Sequence, residues 1–436
     1  MSQKEAAQTK TPIPLVQESG DFIRDDQVNN EFLVPRKAFT SPEVLAAEHE
    51  RIFTQCWLYA AHASELPEPN SFVSRRVGGR ELIISRDSDG EIHAFYNACS
   101  HRGAMVCREK TGKSKWFVCP YHGWSFDNAG TRVADENETG FPDGFFDNGS
   151  KNLSRVENVD VYRDFIFITY NSEADTLVNY LAGAAEFLDV VADQAEVSME
   201  VTEGNHEYSM RANWKLLLEN SADGYHAMAT HASYFDYLQA TNGAFQADFD
   251  PSSVGGQCRD LGNGHAAIEY GAPWGRPVAQ WVSQWGEEGR GAVSEVMSKL
   301  IERHGEERAR RIGEKNRNIL IFPNLVINDI MALTIRTFQP VDEGYLEVNA
   351  WSLAPQEEHP DVRKFRQYNF LEFLGPAGFA TPDDVEMLEL CQQGYQNMPE
   401  PMWNDISKGM SQDINNSDDE LQMRTFWRQW NKLMTA

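Results

Sequence analysis

The sequence predicts an α+β chain of two unequal domains: a small antiparallel β domain, then a larger one mixing helices with antiparallel strands. Three observations lead there. A chain of 436 residues exceeds what one small core organises. Between about Trp57 and Asn171, short alternating runs (FVSRRV, ELIISR, EIHAFYN, KWFVCP, DFIFITY) are separated by Gly, Asp, Asn and Pro, the pattern of strands joined by turns. Beyond Asn171, helical spacing mixes with consecutive strand runs rather than alternating strand by helix, which favours α+β over a doubly wound fold.

In chain order, residues 1 to about 35 are polar and mixed, and read as an arm packing on a neighbouring domain or subunit. Pro42–Cys56 has helical apolar spacing, and Ser41-Pro42 suits a helix start. The arm and this helix form a unit over 1–55 that packs on the catalytic part; the β domain spans 56–172 and the larger domain 173–436. Within the latter, helical periodicity covers 174–192, 213–238, 292–315 and 378–396, with strands at 200–210, 318–340 and 344–354.

A net charge of −27 repels nucleic acid and anionic lipid, so neither is an expected partner. The N-terminus MSQKEAAQTKTPIP has no apolar stretch of signal-peptide length, and no apolar run is long enough to span a membrane. A cytoplasmic location is therefore expected, with the six cysteines as thiols or metal ligands. No GxGxxG or phosphate-binding loop occurs, so any electrons the chain uses come from another protein.

Cys99-Ser-His101-Arg-Gly and Cys119-Pro-Tyr-His122-Gly-Trp give C-x-H, seventeen residues, then C-x2-H. Two sulfurs and two imidazoles can hold zinc, but zinc modules usually pair cysteines with each other at close spacing. Here each half supplies one Cys and one His, the composition of a Rieske [2Fe–2S] centre, in which two Cys bind one iron and two His the other. Gly103 and Gly123 let the backbone turn close to the cluster. Histidine ligation raises the potential above that of all-Cys clusters and suits a centre that accepts electrons. Cys56, Cys107, Cys258 and Cys391 lack such pairing and read as buried thiols.

The segment NWKLLLENSADGYHAMATH (213–231) contains Asp223, His226 and His231 as D-x2-H-x4-H. On a helix, 223 and 226 are neighbours, while 231 lies a little over a turn beyond 226, so an irregularity or helix end is needed to bring both imidazoles to one cavity. Two such histidines are ordinarily just hydrogen-bonded. In a chain that already carries an electron-transfer cluster, two His and a carboxylate instead suggest a mononuclear Fe(II) site with positions open for O2. By spacing, Asp223, Asp383, Asp384 and Glu386 can each be the carboxylate.

These motifs, with AEHERIFTQCWLYAAHASELP, NACSHRGAMVCR, VCPYHGWSF and GPAGFATPDDVEMLELCQQGY, make the chain similar to the α subunits of Rieske non-haem iron ring-hydroxylating dioxygenases over nearly its whole length. ENSADGYH and GPAGFATPDD resemble most the benzoate and p-cumate dioxygenase branch. The resemblance implies a Rieske β domain plus a catalytic domain with a central antiparallel sheet flanked by helices. It carries the cluster ligands onto Cys99, His101, Cys119 and His122, and the iron ligands onto His226, His231 and Asp384. Asp223 becomes the acid linking cluster and iron between neighbouring subunits, and Asn220 a polar residue near the iron; the Asn220–Asp223 stretch is one residue shorter than in naphthalene-type enzymes.

The implied reaction is cis-dihydroxylation of an aromatic ring with O2, the ring being a benzoate-like carboxylate, with electrons from a ferredoxin or an NAD(P)H-dependent reductase. Implied too is a trimer, in which His122 of one chain approaches Asp223 and His226 of the next, with or without a small β subunit (α3β3). Alternatives are a salicylate hydroxylase-like Rieske monooxygenase and an electron-transfer Rieske protein without oxygenase activity. Segments 226–240 and 318–336 are expected to line the pocket, and Arg336 and Arg317 are the candidate cations for a substrate carboxylate.

Overall fold

Ser41 opens the first helix, Pro42–Glu48, by accepting a hydrogen bond from the backbone N–H of Val44 at 3.3 Å, while Pro42 occupies a first-turn position that needs no donor. The computed structural model describes residues 21–134, 139–242, 255–271, 275–282, 285–397 and 402–436. Residues 1–20 of the expected arm lie outside these. The remainder of the arm forms a hairpin of Arg24–Asp26 and Glu31–Pro35, the latter also pairing with Trp403–Asp405 near the C-terminus.

The alternating runs between 57 and 171 form short antiparallel sheets. One has four strands in the order Ile92–Tyr96, Arg80–Arg86, Ser71–Val77, Thr111–Lys113. A second, of three, runs Arg132–Ala134, Ser125–Phe126, Phe117–Val118, and a third joins Asn158–Tyr162, Phe165–Thr169 and Leu58–His62. Phe72, Ile83, Phe95, Phe117, Trp124 and Phe126 bury their side chains together between the first two, and Cys99 and Cys119 belong to the same apolar cluster.

The larger part is built on an eight-stranded antiparallel sheet. Its order runs from Met199–Val201 through Tyr345–Pro355, Leu333–Asp342, Leu325–Asp329, Lys315–Ile321 and His265–Gly271 to Gln257–Gly262, with His206–Met210 also paired to Tyr345–Pro355. The strands between 318 and 340 are buried on both faces. Ile319, Ile327 and Ile335 pack on Tyr59, Phe165, Phe167 and helix residues Phe187 and Leu188, and Leu320, Val326 and Phe338 on the other side share a core with Leu216–Leu218 and the C-terminal helix. The C-terminal helix Leu421–Thr435 places Phe426, Trp427 and Trp430 in the main core.

A buried carboxylate ties three distant segments together. Glu48, on the first helix, accepts from Lys215 Nζ, Trp214 Nε1 and Trp430 Nε1, each at 2.7 Å. Glu48 and Lys215 are fully buried, so removing either would strand the other charge, at a cost of about 3–5 kcal/mol. The helix that enters the iron motif is thereby fixed to both ends of the chain.

Helical periodicity over 213–238 is realised as three pieces, Trp214–Ser221, Ala227–Thr230 and Ala232–Asn242, rather than one helix. The stretch 292–315 is likewise divided by Gly305, at φ 78°, into Gly286–His304 and Glu306–Glu314.

Candidate metal centres and the cavity between sheet and helices

The two Cys–His loops are built alike. In the first, Gly103 N–H donates to Cys99 O at 2.8 Å; in the second, Gly123 N–H donates to Cys119 O at 3.0 Å. Each loop is closed a second time, by Cys99 N–H to Ala104 O and by Cys119 N–H to Trp124 O, both at 2.8 Å. Both glycines have positive φ, 77° and 79°, and a Cβ at either would meet nothing within 4 Å, so backbone conformation and not crowding selects them. Asn97 braces the first loop, accepting from the backbone N–H of Val106 and Cys107 at 3.0 Å and donating to Cys107 O at 2.7 Å.

The loops bring four expected residues together. The Cys99 and Cys119 side chains share one buried cluster; burial raises the pKa of the Cys99 thiol, and the neighbouring sulfur adds to the effect. His101 and His122 have ring centroids 4.6 Å apart, and His101 stacks on Trp124 at 4.8 Å. His101 Nδ1 is buried without a hydrogen-bond partner. Two buried thiols, two facing imidazoles and an orphaned ring nitrogen fit a [2Fe–2S] group held by both loops. His122 and Tyr121 stand at the exposed rim, with Tyr121 54% accessible.

The second centre forms where the helix breaks. Trp214–Ser221 ends, and Asp223 caps the next turn, accepting from Tyr225 N–H at 2.7 Å and His226 N–H at 3.3 Å. Gly224 passes so near Ser417 that a Cβ would lie 2.2 Å from its carbonyl oxygen. This break is the irregularity the spacing demanded, and it turns His226 and His231 toward each other, with centroids 5.2 Å apart. Opposite them, the buried face of helix Ala380–Asn397 presents Asp384. Its Oδ1 is 3.3 Å from His226 Nε2 and 3.4 Å from His231 Nε2. One ligand atom from each of these three residues lies within 4.8 Å of the others, the spacing of a two-histidine, one-carboxylate metal site.

The other ring nitrogens are held separately. His226 Nδ1 meets Asp223 Oδ2 at 3.0 Å and His231 Nδ1 meets Asp383 Oδ2 at 3.4 Å, so the adjacent aspartates 383 and 384 occupy different places. Asn220 Nδ2 donates to Asp384 Oδ1 at 3.0 Å and lies 3.3 Å from His226 Nε2. Glu386 is exposed on the outer side of its helix, away from the group. Burial pulls His226 down, but hydrogen bonds to Asp223 and Asp384, reinforced by their charges, outweigh it and push the imidazole up to about 10. Burial opposes ionisation of Asp384, yet the contacts with His226, His231 and Asn220 hold it below the usual range. The site is electrostatically prepared for a cation.

A cavity of about 500 Å³ opens onto this group. Segment 226–240 supplies Ala227, Met228, Tyr234, Phe235 and Leu238, the sheet supplies Asn318, Asn328 and Arg336, and the turn between two of its strands supplies Ile330 and Met331. Ile268, Tyr270, Phe373, Leu374 and Asn416–Asp418 also contribute; their segments carry no motif, and only the tertiary fold brings them in. Of the two candidate cations, only Arg336 lines the cavity. Arg317 corrects the expectation: successive strand residues face opposite sides, and since Asn318 faces the cavity, Arg317 points away and pairs with Glu269 at 2.9 Å and Asp329 at 3.0 Å. Cys391 is a second correction, being exposed rather than buried, whereas Cys56, Cys107 and Cys258 are buried as expected. Burial pushes Cys56 and Cys258 up to about 12, so both stay protonated.

Two family profiles cover most of the chain: the Rieske [2Fe-2S] domain over residues 56–142, and the ring hydroxylating alpha subunit (catalytic domain) over 198–436. The chain is 33% identical, over 91% of its length and 84% of the relative's, to the 2-halobenzoate 1,2-dioxygenase large subunit of Burkholderia cepacia. It is 32% identical to the toluate 1,2-dioxygenase subunit alpha of Pseudomonas putida, over 91% and 86% of the two chains. Naphthalene 1,2-dioxygenase from Rhodococcus sp., solved with indole bound, superposes with a TM-score of 0.79 at 27% identity, covering 93% of this chain and 94% of that one. No helix among the described residues is long and apolar enough to cross a membrane. The chain belongs to the Rieske non-haem iron ring-hydroxylating dioxygenases as an alpha subunit, with one [2Fe–2S] cluster and one mononuclear iron as its cofactors.

Proposed function

We propose that this subunit cis-dihydroxylates a benzoate-like aromatic carboxylate, with Cys99, His101, Cys119 and His122 holding the cluster and His226, His231 and Asp384 the iron. The observation that carries the reading is the convergence of those last three side chains on one wall of a largely apolar cavity. Similarity to large subunits acting on 2-halobenzoate, toluate and anthranilate supports the substrate class. When bound, the cluster supplies single electrons and the iron supplies O2 activation.

The chain's own residues do the positioning. Asp223 holds His226, and Asp383 holds His231, with Nε2 directed inward. Asn220 donates to Asp384 Oδ1, and among the described residues no hydrogen bond occupies the other carboxylate oxygen. Tyr234, Phe235 and Leu238 line the cavity with rings and aliphatic surface, which suits an aromatic substrate and excludes water. The exposed edge of His122 is suited to meet Asp223 and His226 of a neighbouring copy, which favours a trimer, alone or with small β subunits. A ferredoxin or NAD(P)H-dependent reductase would deliver the electrons, in the reducing cytoplasm that fits the free thiols of Cys56 and Cys258.

The test is turnover of benzoates by the reconstituted enzyme under isotopically labelled O2. A cis-dihydrodiol bearing label in both hydroxyls is expected; a phenol bearing one labelled oxygen would assign a monooxygenase instead.

A further inference from the structure

Among the described residues, five arginines are buried: Arg276, Arg317, Arg336, Arg366 and Arg424. Four are well supplied with acceptors. Arg276 bonds Asp329, Arg317 bonds Glu269 and Asp329, and Arg366 bonds Glu358. Arg424 donates to Ile406 O, Lys408 O and Asn415 Oδ1. Arg336 is different. Only 3% exposed, it has, among the described residues, no carboxylate within ion-pair distance and a single hydrogen bond, from Nη2 to Ser221 Oγ at 3.2 Å. Its Nε is covered and unpartnered. Nη1 is left as the corner of the guanidinium open to the cavity that Arg336 lines. A buried cation normally has a counter-ion, because desolvating an unpaired charge costs several kcal/mol.

The surroundings of Arg336 favour an anion. Asn328 and Asn318 are register partners on neighbouring strands, and both line the cavity. Asn328 Nδ2 donates to Asn318 Oδ1 at 3.0 Å, so the carbonyl of Asn318 is engaged and its NH2 remains as a donor without an acceptor among the described residues. Asn328 Oδ1 is covered and does not face the cavity. The free polar groups on this side of the cavity are thus donors, a guanidinium corner and an amide. Ser221, which holds the guanidinium, is fixed by its own bond to Leu217 O at 2.6 Å. It directly follows Asn220, whose amide touches both His226 and Asp384.

We infer that Arg336 is the specificity-determining residue that takes the substrate's carboxylate, with the Asn318 amide as a second donor, turning the carboxylated edge of the ring toward the metal-binding triad. The inference rests on the oxygenase reading above and adds to it a named anchor. The open Nη1 gives one carboxylate oxygen a charge-assisted hydrogen bond and the Asn318 amide can serve the other, a pairing that a neutral side chain at 336 does not reproduce.

The test is anaerobic calorimetric titration of the holoenzyme with benzoate and with benzamide, its uncharged counterpart, so that no turnover intervenes. Wild-type protein is expected to prefer benzoate by at least about tenfold. Arg336→Gln should weaken benzoate about 10- to 100-fold, and Arg336→Lys by less, with benzamide little changed and visible spectrum and iron content intact. Equal affinity of the wild type for the two ligands would overturn the anchor, even if no variant folds. So would an Arg336→Gln protein that binds benzoate as tightly as wild type. If the wild type discriminates in neither titration yet dihydroxylates toluene, only the anchor fails. If it oxidises no arene under reducing conditions with all its iron present, the oxygenase reading fails first.

Discussion

At the residue scale, the iron site separates groups that adjoin in sequence. Asp383 and Asp384 are neighbours on one helix, yet Asp384 Oδ1 faces both Nε2 atoms while Asp383 meets the far nitrogen of His231. Their substitutions should therefore differ. Asp384→Asn is expected to lose the mononuclear iron. Asp383→Asn should keep most of it, with affinity lowered about tenfold or more through a less firmly held His231. Metal analysis after dialysis against a graded chelator reads the difference, and equal losses from both variants would contradict the assignment. Spacing left four acids open as the carboxylate, and only the family resemblance selected Asp384 among them. The physical reason for that choice is which face of helix Ala380–Asn397 is buried, a property of the tertiary fold that spacing does not encode. Cys391, on the same helix, was misjudged for the same reason.

At the element scale, what was legible was whatever carries its own local signal. The Rieske loops announce themselves because each holds a Cys, a His and a positive-φ glycine within five residues. Strand runs such as 318–340 and 344–354 were visible through their apolar, β-branched content, and they form the middle of the central sheet. The strands Gln257–Gly262 and His265–Gly271 were not visible, because polar residues and glycines interrupt any alternation, as in QCRDLG. Helix Leu421–Thr435 was missed too, although its Phe426, Trp427 and Trp430 are all fully buried. The break at 222–226 was inferable only as a geometric need. Its cause is Asp223 capping the next turn, with Gly224 against the backbone of Ser417, a contact between segments nearly two hundred residues apart.

At the scale of the whole molecule, buried titratable groups make stability depend on pH from both sides. Burial is the leading cause that pushes Glu219 up to about 8, despite the hydrogen bond from Trp427 Nε1. In the unfolded chain this carboxyl ionises near 4.5, so between 4.5 and 8 unfolding releases its proton, and stability falls as pH rises through that window. Burial likewise lowers His62 and His265 to about 4, so they fold neutral. Their contribution is present above 6.5 and is lost as pH falls toward 4. Glu219→Gln keeps an acceptor for Trp427 and removes the titration. Thermal unfolding should show the variant close to wild type at pH 5 and more stable at pH 8; a constant offset across that range would contradict the buried, protonated Glu219.

The whole arrangement also couples two metal centres in one chain, and counting iron tests that most directly. Wild-type protein isolated anaerobically should contain about three irons per chain and show the visible spectrum of a Rieske cluster. His226→Ala should lose one iron and leave the spectrum unchanged. Two irons in both proteins would reduce the chain to an electron carrier, and zinc in a colourless protein would contradict the account at its first step.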